Sequence, residues 1–236
     1  MSSDFAVVFA LFPGITQLDF TGPFEVFNRL PKARCVLASV GGGELKADSG
    51  LTFSGVRRLA DVEECALLCV PGGFGTLEAM EDRAYLSQLS RLASRAQFIT
   101  SVCTGSLLLA AAGLLQGKRA ACHWAWRDQL PAFGVAPDPA RIVRDGKIFS
   151  GGGVTAGIDM ALSVVAEIAG ADYAQTVQLA MEYAPEPPFD CGRPERARPA
   201  IVAAARARLD SISARRAAAV ERARNNLFMP SQASCP

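Results

Sequence analysis

The sequence predicts an α/β domain in which helices flank a mostly parallel sheet. Three short, largely apolar runs, at residues 5–12, 66–70 and 97–102, have the composition of strands that are covered on both faces. A segment with helical periodicity follows each run, and Gly or Pro residues lie close to the ends of the runs. Strands that alternate with helices in this way indicate a parallel sheet.

The other elements follow from periodicity and turn residues. In chain order we expect a strand at 5–12, a helix at 17–30, a strand at 34–40, a strand pair within 44–54, a strand at 66–70, helical segments within 77–96, a strand at 97–102, a helix at 104–112, a short strand at 119–122, a helix at 124–130, a hairpin across 145–146 and a helix at 155–168. The proline-rich stretch 184–199 is expected to be irregular.

The chain is predicted to divide into an α/β domain at residues 1–193 and a C-terminal helical extension at residues 194–236. The extension contains an arginine-rich helix at 200–224 with an apolar stripe that includes Val202, Leu209 and Ile212. Acidic residues lie among the arginines and aromatic residues do not, so a helix packed on the same domain or on a dimer partner is favoured over nucleic-acid binding.

Composition excludes several classes of protein. The 24 basic and 23 acidic residues give a net charge of +1, so no global attraction to nucleic acid or anionic lipid is expected. The seven cysteines are scattered and odd in number, which argues against a disulfide framework. A single histidine, with Cys65 and Cys69 as an isolated pair, argues against a zinc site. We therefore expect neither a metal nor disulfides.

Hydropathy gives no sign of a membrane segment. No run reaches the roughly 18 apolar residues that a membrane span needs. The apolar run at 5–12 is not preceded by a basic region, so we interpret it as a buried strand rather than a signal peptide. The expected location is the cytoplasm.

Cys103 carries the strongest chemical signal. It lies between the strand at 97–102 and a Gly-containing helix start, which is the position of the nucleophile in a strand-to-helix elbow. The positive end of the helix is expected to lower the pKa of the thiol. The alternative is a buried, inert cysteine, but the elbow context favours the nucleophile of a small-molecule enzyme.

Polar residues and glycines at neighbouring strand ends are expected to converge on Cys103. Asp19 is either a helix cap or a carboxyl that exchanges protons with the thiol, and the residue alone leaves these two equal. Gly72 and Gly73 form a turn or offer backbone N–H groups as an oxyanion-type site. Thr104 contacts substrate or caps the helix, whereas His123 is more typical of a structural residue than of a base.

Apolar walls and close packing complete the predicted site. The glycines at 151–153 are expected to permit close packing near the elbow. Val154 and Thr155 follow them as candidate pocket residues, and Phe20, Phe74 and Val154 are candidate apolar walls for a substrate.

Five motifs together resemble the DJ-1/PfpI superfamily of class I glutamine amidotransferase-like proteins. They are LDFTGP at 18–23, VPGG at 70–73, TSVCTGS at 100–106, CHW at 122–124 and GGGVTAGID at 151–159. The resemblance runs from about Phe5 into the arginine-rich helix, and it is greatest for the isocyanide-hydrating members of the superfamily.

The resemblance implies a flavodoxin-like homodimer that is a hydro-lyase. The isocyanide-hydrating members convert isocyanides to N-substituted formamides without a metal or organic cofactor. The resemblance places the nucleophile at Cys103, whose sulfur would form a thioimidate with the substrate. It also places the essential acid at Asp19 and the elbow threonine at Thr104. Val154 stands where isoleucine is usual and Cys122 where threonine is usual, and both differences bear on substrate fit.

Other members of the superfamily give the alternatives. The proteases place histidine directly after the cysteine, where this chain has Thr104. Glyoxalase and deglycase members pair the cysteine with glutamate and often histidine, whereas the acid here is Asp19 and His123 remains available. AraC-type regulators carry this domain as a sensor and continue into two helix-turn-helix units, for which the residues after Pro194 are expected to be too few. A non-catalytic ligand sensor related to those domains, which would use the same pocket, remains an alternative that turnover of an isocyanide would separate.

Overall fold

An eight-stranded sheet forms the centre of the protein in a computed structural model that describes residues 5–210 and 213–228. The strands, in chain order, are β1 (Phe5–Ala10), β2 (Ala33–Ser39), β3 (Gly43–Lys46), β4 (Thr52–Arg58), β5 (Leu67–Val70), β6 (Phe98–Val102), β7 (Arg119–Ala120), β8 (Ala136–Pro137), β9 (Ile142–Asp145) and β10 (Ile148–Gly151). The sheet order is β3-β4-β2-β1-β5-β6-β10-β9, and β7 pairs separately with β8.

The helices cover the two faces of the sheet and continue beyond it at the C-terminal side. They are α1 (Leu18–Phe27), α2 (Thr76–Ala79), α3 (Arg83–Ala93), α4 (Gly105–Ala111), α5 (Ala156–Ala169), α6 (Ala171–Ala180), α7 (Pro199–Asp210) and α8 (Ser213–Phe228). Two 3-10 helices lie at Leu59–Asp61 and Arg127–Phe133. None of the helices in these two described ranges is both long and apolar enough to cross a membrane.

The predicted parallel sheet is confirmed. β1 pairs in parallel with β2 and β5, β5 with β6, and β6 with β10, while β9 and β3 add antiparallel edges. Numbered in chain order, these five central strands have the spatial order 2-1-3-4-5, which is the flavodoxin-like arrangement. The strand order reverses at β1, so the crevice between the ends of β1 and β5 is where such a sheet binds ligands.

Burial explains why the central strands read as continuous apolar runs. Residues 6–10 of β1 and all four residues of β5 are buried, because helices lie on both faces of the sheet. Phe9 contacts Phe20 and Phe27 of α1 at ring-centroid distances of 6.3 Å each. This aromatic cluster fixes α1 on the sheet, and with it the residues of its first turn.

Several helix boundaries differ from those predicted. The segment 77–96 contains two helices, and Asp82 caps the second by accepting a hydrogen bond from the Tyr85 N–H at 3.1 Å. The helix expected at 124–130 is the 3-10 helix at Arg127–Phe133, which contains Pro131. α6 was not predicted, and the stretch 184–198 is irregular as expected.

The C-terminal helices pack on the same chain. The predicted helix at 200–224 corresponds to α7 and α8, and Ile212 of the predicted stripe lies outside the described residues. Val220 and Ala223 of α8 are buried, and Arg222 forms a two-pronged ion pair with Glu81 at 2.7 and 3.0 Å. The division of the chain at residue 193 stays a prediction.

Candidate active site

Three loops meet at the carboxyl edge of the sheet, as the sequence predicted. The loop after β1 and the loop after β5 are joined by hydrogen bonds from the Thr16 N–H to the Gly72 carbonyl, at 2.9 Å, and from the Gly75 N–H to the Gly14 carbonyl, at 3.0 Å. The turn after β6 contacts the loop after β5 through Thr104. The convergence follows from the parallel sheet, because neighbouring strands end at the same edge.

Cys103 occupies a strained elbow. Its φ of 59° lies in the left-handed region that non-glycine residues rarely adopt. Its N–H donates to the Gly151 carbonyl at 3.0 Å, and its carbonyl accepts from the His123 N–H at 3.3 Å. A Cβ at Gly105 would lie 2.1 Å from the Val70 carbonyl oxygen, so only glycine permits the helix to start so close to β5. The tight turn therefore sets the direction of the thiol.

Asp19 lies in the first turn of α1 and is fully buried beside the thiol. Its Oδ2 accepts a hydrogen bond from the Gly72 N–H at 3.0 Å. Its Oδ1 has no hydrogen-bond partner of normal geometry among the described residues. A buried oxygen without a partner is costly. The neighbouring Cys103 thiol is the group that interacts with this carboxyl from the other side.

Burial sets the protonation of both groups. It raises the pKa of Asp19 from 3.8 to about 7, against the opposing effects of the Gly72 N–H and the Cys103 thiol. Burial, with the Asp19 charge as the next cause, raises the pKa of the Cys103 thiol well above its usual value. The expectation that the helix terminus lowers this pKa is wrong, since the Thr104 N–H favours the thiolate but burial outweighs it. The thiol therefore keeps its proton at rest and needs a base when it attacks.

The raised pKa of Asp19 predicts a pH-dependent cost to folding. The unfolded chain releases this proton near pH 3.8 and the folded protein near pH 7, so stability falls as pH rises through this window and stays low above it. Asp19→Asn keeps an acceptor for Gly72 and removes the charge. We expect it to raise the free energy of unfolding at pH 8 by up to about 4 kcal/mol and to leave it unchanged at pH 3.5.

Urea unfolding of wild type and Asp19→Asn between pH 3.5 and pH 8 measures this effect. A difference between the two proteins that is constant across the pH range would contradict the raised pKa. Asp61→Asn is the matched control, because Asp61 is exposed and the same change there removes a carboxylate that does not contribute to the raised pKa of Asp19.

Gly72, Gly73 and Thr104 form a hydrogen-bonded support for the site. The Gly72 N–H is taken by Asp19, and the Gly73 N–H donates to Thr104 Oγ1 at 3.0 Å. Thr104 Oγ1 also shares a hydrogen bond with Thr76 Oγ1 at 2.7 Å. The predicted oxyanion-type site at Gly72 and Gly73 is therefore wrong, because both N–H groups already have acceptors. These residues hold the carboxyl and the elbow in place.

Gly72→Ala is expected to destabilise the protein by about 1–3 kcal/mol and to impair the site. The added Cβ would lie 2.5 Å from both the backbone N and Oγ1 of Thr104 and 3.0 Å from Asp19 Oδ2. Gly153→Ala is the matched control, since a Cβ there meets nothing within 4 Å. Thermal unfolding of the two variants makes the comparison, and equal losses would refute the role given to Gly72.

Of the three glycines at 151–153, one shows the close packing that the sequence predicted. A Cβ at Gly151 would lie 3.1 Å from the Ala156 carbonyl oxygen, whereas the nearest atom to one at Gly152 is 3.6 Å away. Close packing therefore concerns Gly151, which also accepts the Cys103 N–H.

A pocket of about 150 Å³ opens above the thiol. It is lined by residues from the three loops, from the 123–126 turn, from the start of α5 and from α7, namely Thr16, Gly73, Phe74, Cys103, Thr104, His123, Trp126, Val154 and Leu209. Phe74 and Val154 are thus placed where the sequence predicted apolar walls. Phe20 is a correction, because it is 2 % exposed and its ring packs against Phe9 and Phe53 in the core.

His123 lines the pocket as a structural residue. Its backbone N–H anchors the elbow, and its Nδ1 accepts the Ala125 N–H at 3.3 Å. Burial lowers the pKa of the imidazole, so it is neutral near pH 7. The ring also lies against Trp124 at 5.7 Å. Among the described residues, no group of three or more His, Cys, Asp or Glu side chains is placed to hold a metal ion.

The sequence reasoning missed three pocket residues. Thr16 precedes the first turn of α1, and its position in the loop after β1 could have identified it as a pocket residue. Trp126 follows the only histidine in the chain, and its spacing from His123 places both in one turn. Leu209 lies far from the elbow in sequence and appeared only as part of an apolar stripe, so no local signal pointed to the pocket.

Comparison with known proteins gives relatives that match most of the chain. A profile of the DJ-1/PfpI family matches residues 6–167. An isonitrile hydratase from Pseudomonas putida is 48% identical over 200 residues, which cover 85% of this chain and 88% of that protein. The transcriptional regulator CdhR from Pseudomonas aeruginosa is 32% identical over 75% of this chain, but the match covers only 54% of the regulator.

Solved structures show the same fold. A ThiJ/PfpI family protein from Pseudomonas syringae superposes with a TM-score of 0.88 at 36% identity, covering 92% of this chain and 91% of that one. Drosophila melanogaster DJ-1beta superposes with a TM-score of 0.68 at 22% identity, covering 78% of this chain and all of that one, which shows a shared fold alone.

Proposed function

This chain belongs to the DJ-1/PfpI family, and on that premise we propose that it is a hydro-lyase that converts isonitriles to N-substituted formamides at Cys103. One observation carries the proposal. A buried thiol and an unpartnered carboxylate oxygen lie side by side under a small apolar pocket. The similarity to a Pseudomonas putida isonitrile hydratase over most of both chains supports the same chemistry.

The pocket suits a neutral, apolar substrate. An isonitrile has no carbonyl oxygen and no net charge, so it needs apolar walls, a nucleophile and a proton donor at one carbon. Phe74, Trp126 and Val154 are the apolar walls, and no oxyanion donors are required of Gly72 or Gly73. A cavity of about 150 Å³ is large enough for a benzene-sized group.

In the first step the S–H group adds to the terminal carbon of the isonitrile, which gains both the sulfur and the hydrogen. Asp19 accepts the Cys103 proton at Oδ1 as sulfur bonds to the carbon, and it then delivers that proton to the same carbon. The product is a thioimidate, in which the carbon bears sulfur, hydrogen and a double bond to nitrogen. A carboxyl with a pKa of about 7 is suited to both transfers, because it gains and loses a proton near neutral pH.

In the second step water adds to the thioimidate carbon. Asp19 accepts a proton from the water and delivers it to the nitrogen, which gives a tetrahedral intermediate that bears a hydroxyl group. Asp19 then accepts the hydroxyl proton and passes it to sulfur as the C–S bond breaks and the formamide leaves. One carboxyl thus acts as base and acid in turn, while the Gly72 N–H keeps its other oxygen fixed. Thr104 supports the site through Gly73 and Thr76 rather than by proton transfer.

Parallel assays of an aryl isonitrile and methylglyoxal test the proposed reaction. The wild-type protein is expected to form the N-aryl formamide, with methylglyoxal turned over far more slowly, and Cys103→Ala is expected to form neither product. Methylglyoxal suits relatives whose acid is glutamate, which has a longer side chain than Asp19. Faster, Cys103-dependent conversion of methylglyoxal would assign a glyoxalase or deglycase activity instead, and turnover of neither substrate would favour a ligand sensor.

We also propose that the protein is a cytoplasmic homodimer. Large apolar side chains are exposed on the described surface away from the pocket, and Leu179 and Phe189 are 82% and 75% exposed. Burying such residues between two copies is a common reason for their exposure. Sedimentation at micromolar concentration is expected to give twice the chain mass of 24.9 kDa. A single species of 24.9 kDa would contradict the dimer.

A further inference from the structure

The outer wall of the catalytic pocket comes from the C-terminal extension. Leu209, in the last turn of α7, lines the same pocket as Cys103, His123 and Trp126. The other lining residues belong to the loops at the carboxyl edge of the sheet and to the start of α5. The pocket above the thiol therefore has its present shape only when α7 lies across it.

Two arginine–tryptophan contacts hold the extension over this turn. The Arg206 guanidinium of α7 lies 5.1 Å from the centre of the Trp124 ring, and that of Arg216 of α8 lies 4.9 Å from the Trp126 ring. Arg216 Nη1 also donates to the Ala125 carbonyl at 2.8 Å. These contacts fall on three successive residues of the 123–126 turn. The turn that carries His123 and Trp126 is therefore fixed relative to the helix that carries Leu209.

Further ion pairs secure α8 to the body of the domain. Arg215 pairs with Glu78 at 2.7 Å, and Arg222 pairs with Glu81 at 2.7 Å. Exposed ion pairs of this kind contribute little stability one by one. Together with the buried Val220 and Ala223 they give α8 a single position, and α7 contacts α8.

From this placement we propose that Leu209 is a specificity-determining residue that limits the size of the substituent on the isonitrile nitrogen. The inference rests on the proposed function. The terminal carbon must reach the sulfur of Cys103, so the substituent points away from the elbow towards the open side of the pocket. Leu209 is the lining residue that α7 contributes from outside the sheet edge that carries Cys103, and a pocket of about 150 Å³ leaves room for one ring-sized group.

Leu209→Ala and Leu209→Phe test the inference in opposite directions. Removing the isobutyl group is expected to raise the ratio of kcat/KM for 2-naphthyl isonitrile over propyl isonitrile by about 10-fold, because apolar pockets discriminate by this amount per group of similar size. Leu209→Phe is expected to lower the same ratio. Leu227→Ala is the matched control: it is the same change on the same extension, and Leu227 packs near Gly113 instead.

A second readout separates Leu209 from the proposed reaction. In a Cys191→Ser background, which removes an exposed thiol, the rates at which N-ethylmaleimide and the bulkier N-(1-pyrenyl)maleimide label Cys103 are measured by peptide mass spectrometry. Leu209→Ala is expected to raise the pyrenyl-to-ethyl ratio about 10-fold, and Leu227→Ala is expected to leave it within about twofold.

The outcomes of the two readouts are distinct. If wild type hydrates no isonitrile but the labelling ratio changes as expected, the proposed function fails and Leu209 still limits access to the thiol. If wild type is active but neither ratio changes in the Leu209 variants, or if Leu227→Ala changes them equally, the role given to Leu209 is wrong.

Discussion

Cys103→Ser is expected to reduce kcat/KM for isonitrile hydration by on the order of 10³-fold or more, which corresponds to about 4 kcal/mol. A hydroxyl at this elbow keeps the size and the φ of 59°, but it ionises far less readily than a thiol and is a weaker nucleophile. Burial already raises the pKa of the Cys103 thiol well above its usual value, so the site is not expected to lower the pKa of a serine hydroxyl. Steady-state assays of formamide formation measure the loss.

Cys122→Ser is the matched control for this prediction. Cys122 is also buried, at 3 % exposure, and burial raises the pKa of its thiol to about 12. The same substitution there is expected to keep kcat/KM within about tenfold of wild type, because Cys122 takes no part in the reaction. Comparable losses in the two variants would mean that serine damages this buried region generally, and the assignment of the nucleophile would fail.

Asp19→Asn is expected to lower kcat by about 10² to 10³-fold, the range that a positioned acid or base contributes. The amide can still accept the Gly72 N–H, so α1 and the loop after β5 keep their contact. It cannot take the thiol proton or return it to the substrate carbon. The same variant is expected to be more stable than wild type above pH 7, so a loss of activity cannot be assigned to unfolding.

His123→Ala is the control for this second prediction. The neutral imidazole accepts the Ala125 N–H and stacks near Trp124, so its removal is expected to cost about tenfold or less through altered packing. Turnover of Asp19→Asn within tenfold of wild type would show that Asp19 is no proton carrier. A larger loss in His123→Ala than in Asp19→Asn would favour a Cys–His pair.

The fold and the reactive residues could be predicted because their signals are local. An apolar run indicates a buried strand. A cysteine directly after a strand, with a glycine two residues later, indicates a nucleophile elbow. Asp19 was identified as a candidate from its position at the start of a helix after β1. Parallel strands then bring these places to one edge, so the pairing of Cys103 with Asp19 follows from the sheet.

The protonation state and the outer wall could not be predicted in this way. The pKa of the Cys103 thiol depends on how completely the folded chain excludes water, and the helix terminus visible in the sequence is the weaker effect. The N–H groups of Gly72 and Gly73 point to acceptors on other loops, which the turn motif does not reveal. Leu209 reaches the pocket through contacts of Arg206 and Arg216 with distant tryptophans.

Mass spectrometry of acid-quenched turnover mixtures tests the central claim most directly. Because the thiol adds to the isonitrile without any leaving group, the account predicts a protein whose mass is increased by that of the entire substrate, with the increase located on the peptide that contains Cys103. Formamide production by a Cys103→Ser protein at the wild-type rate, or an adduct on any other cysteine that forms and decays at the rate of turnover, would contradict it.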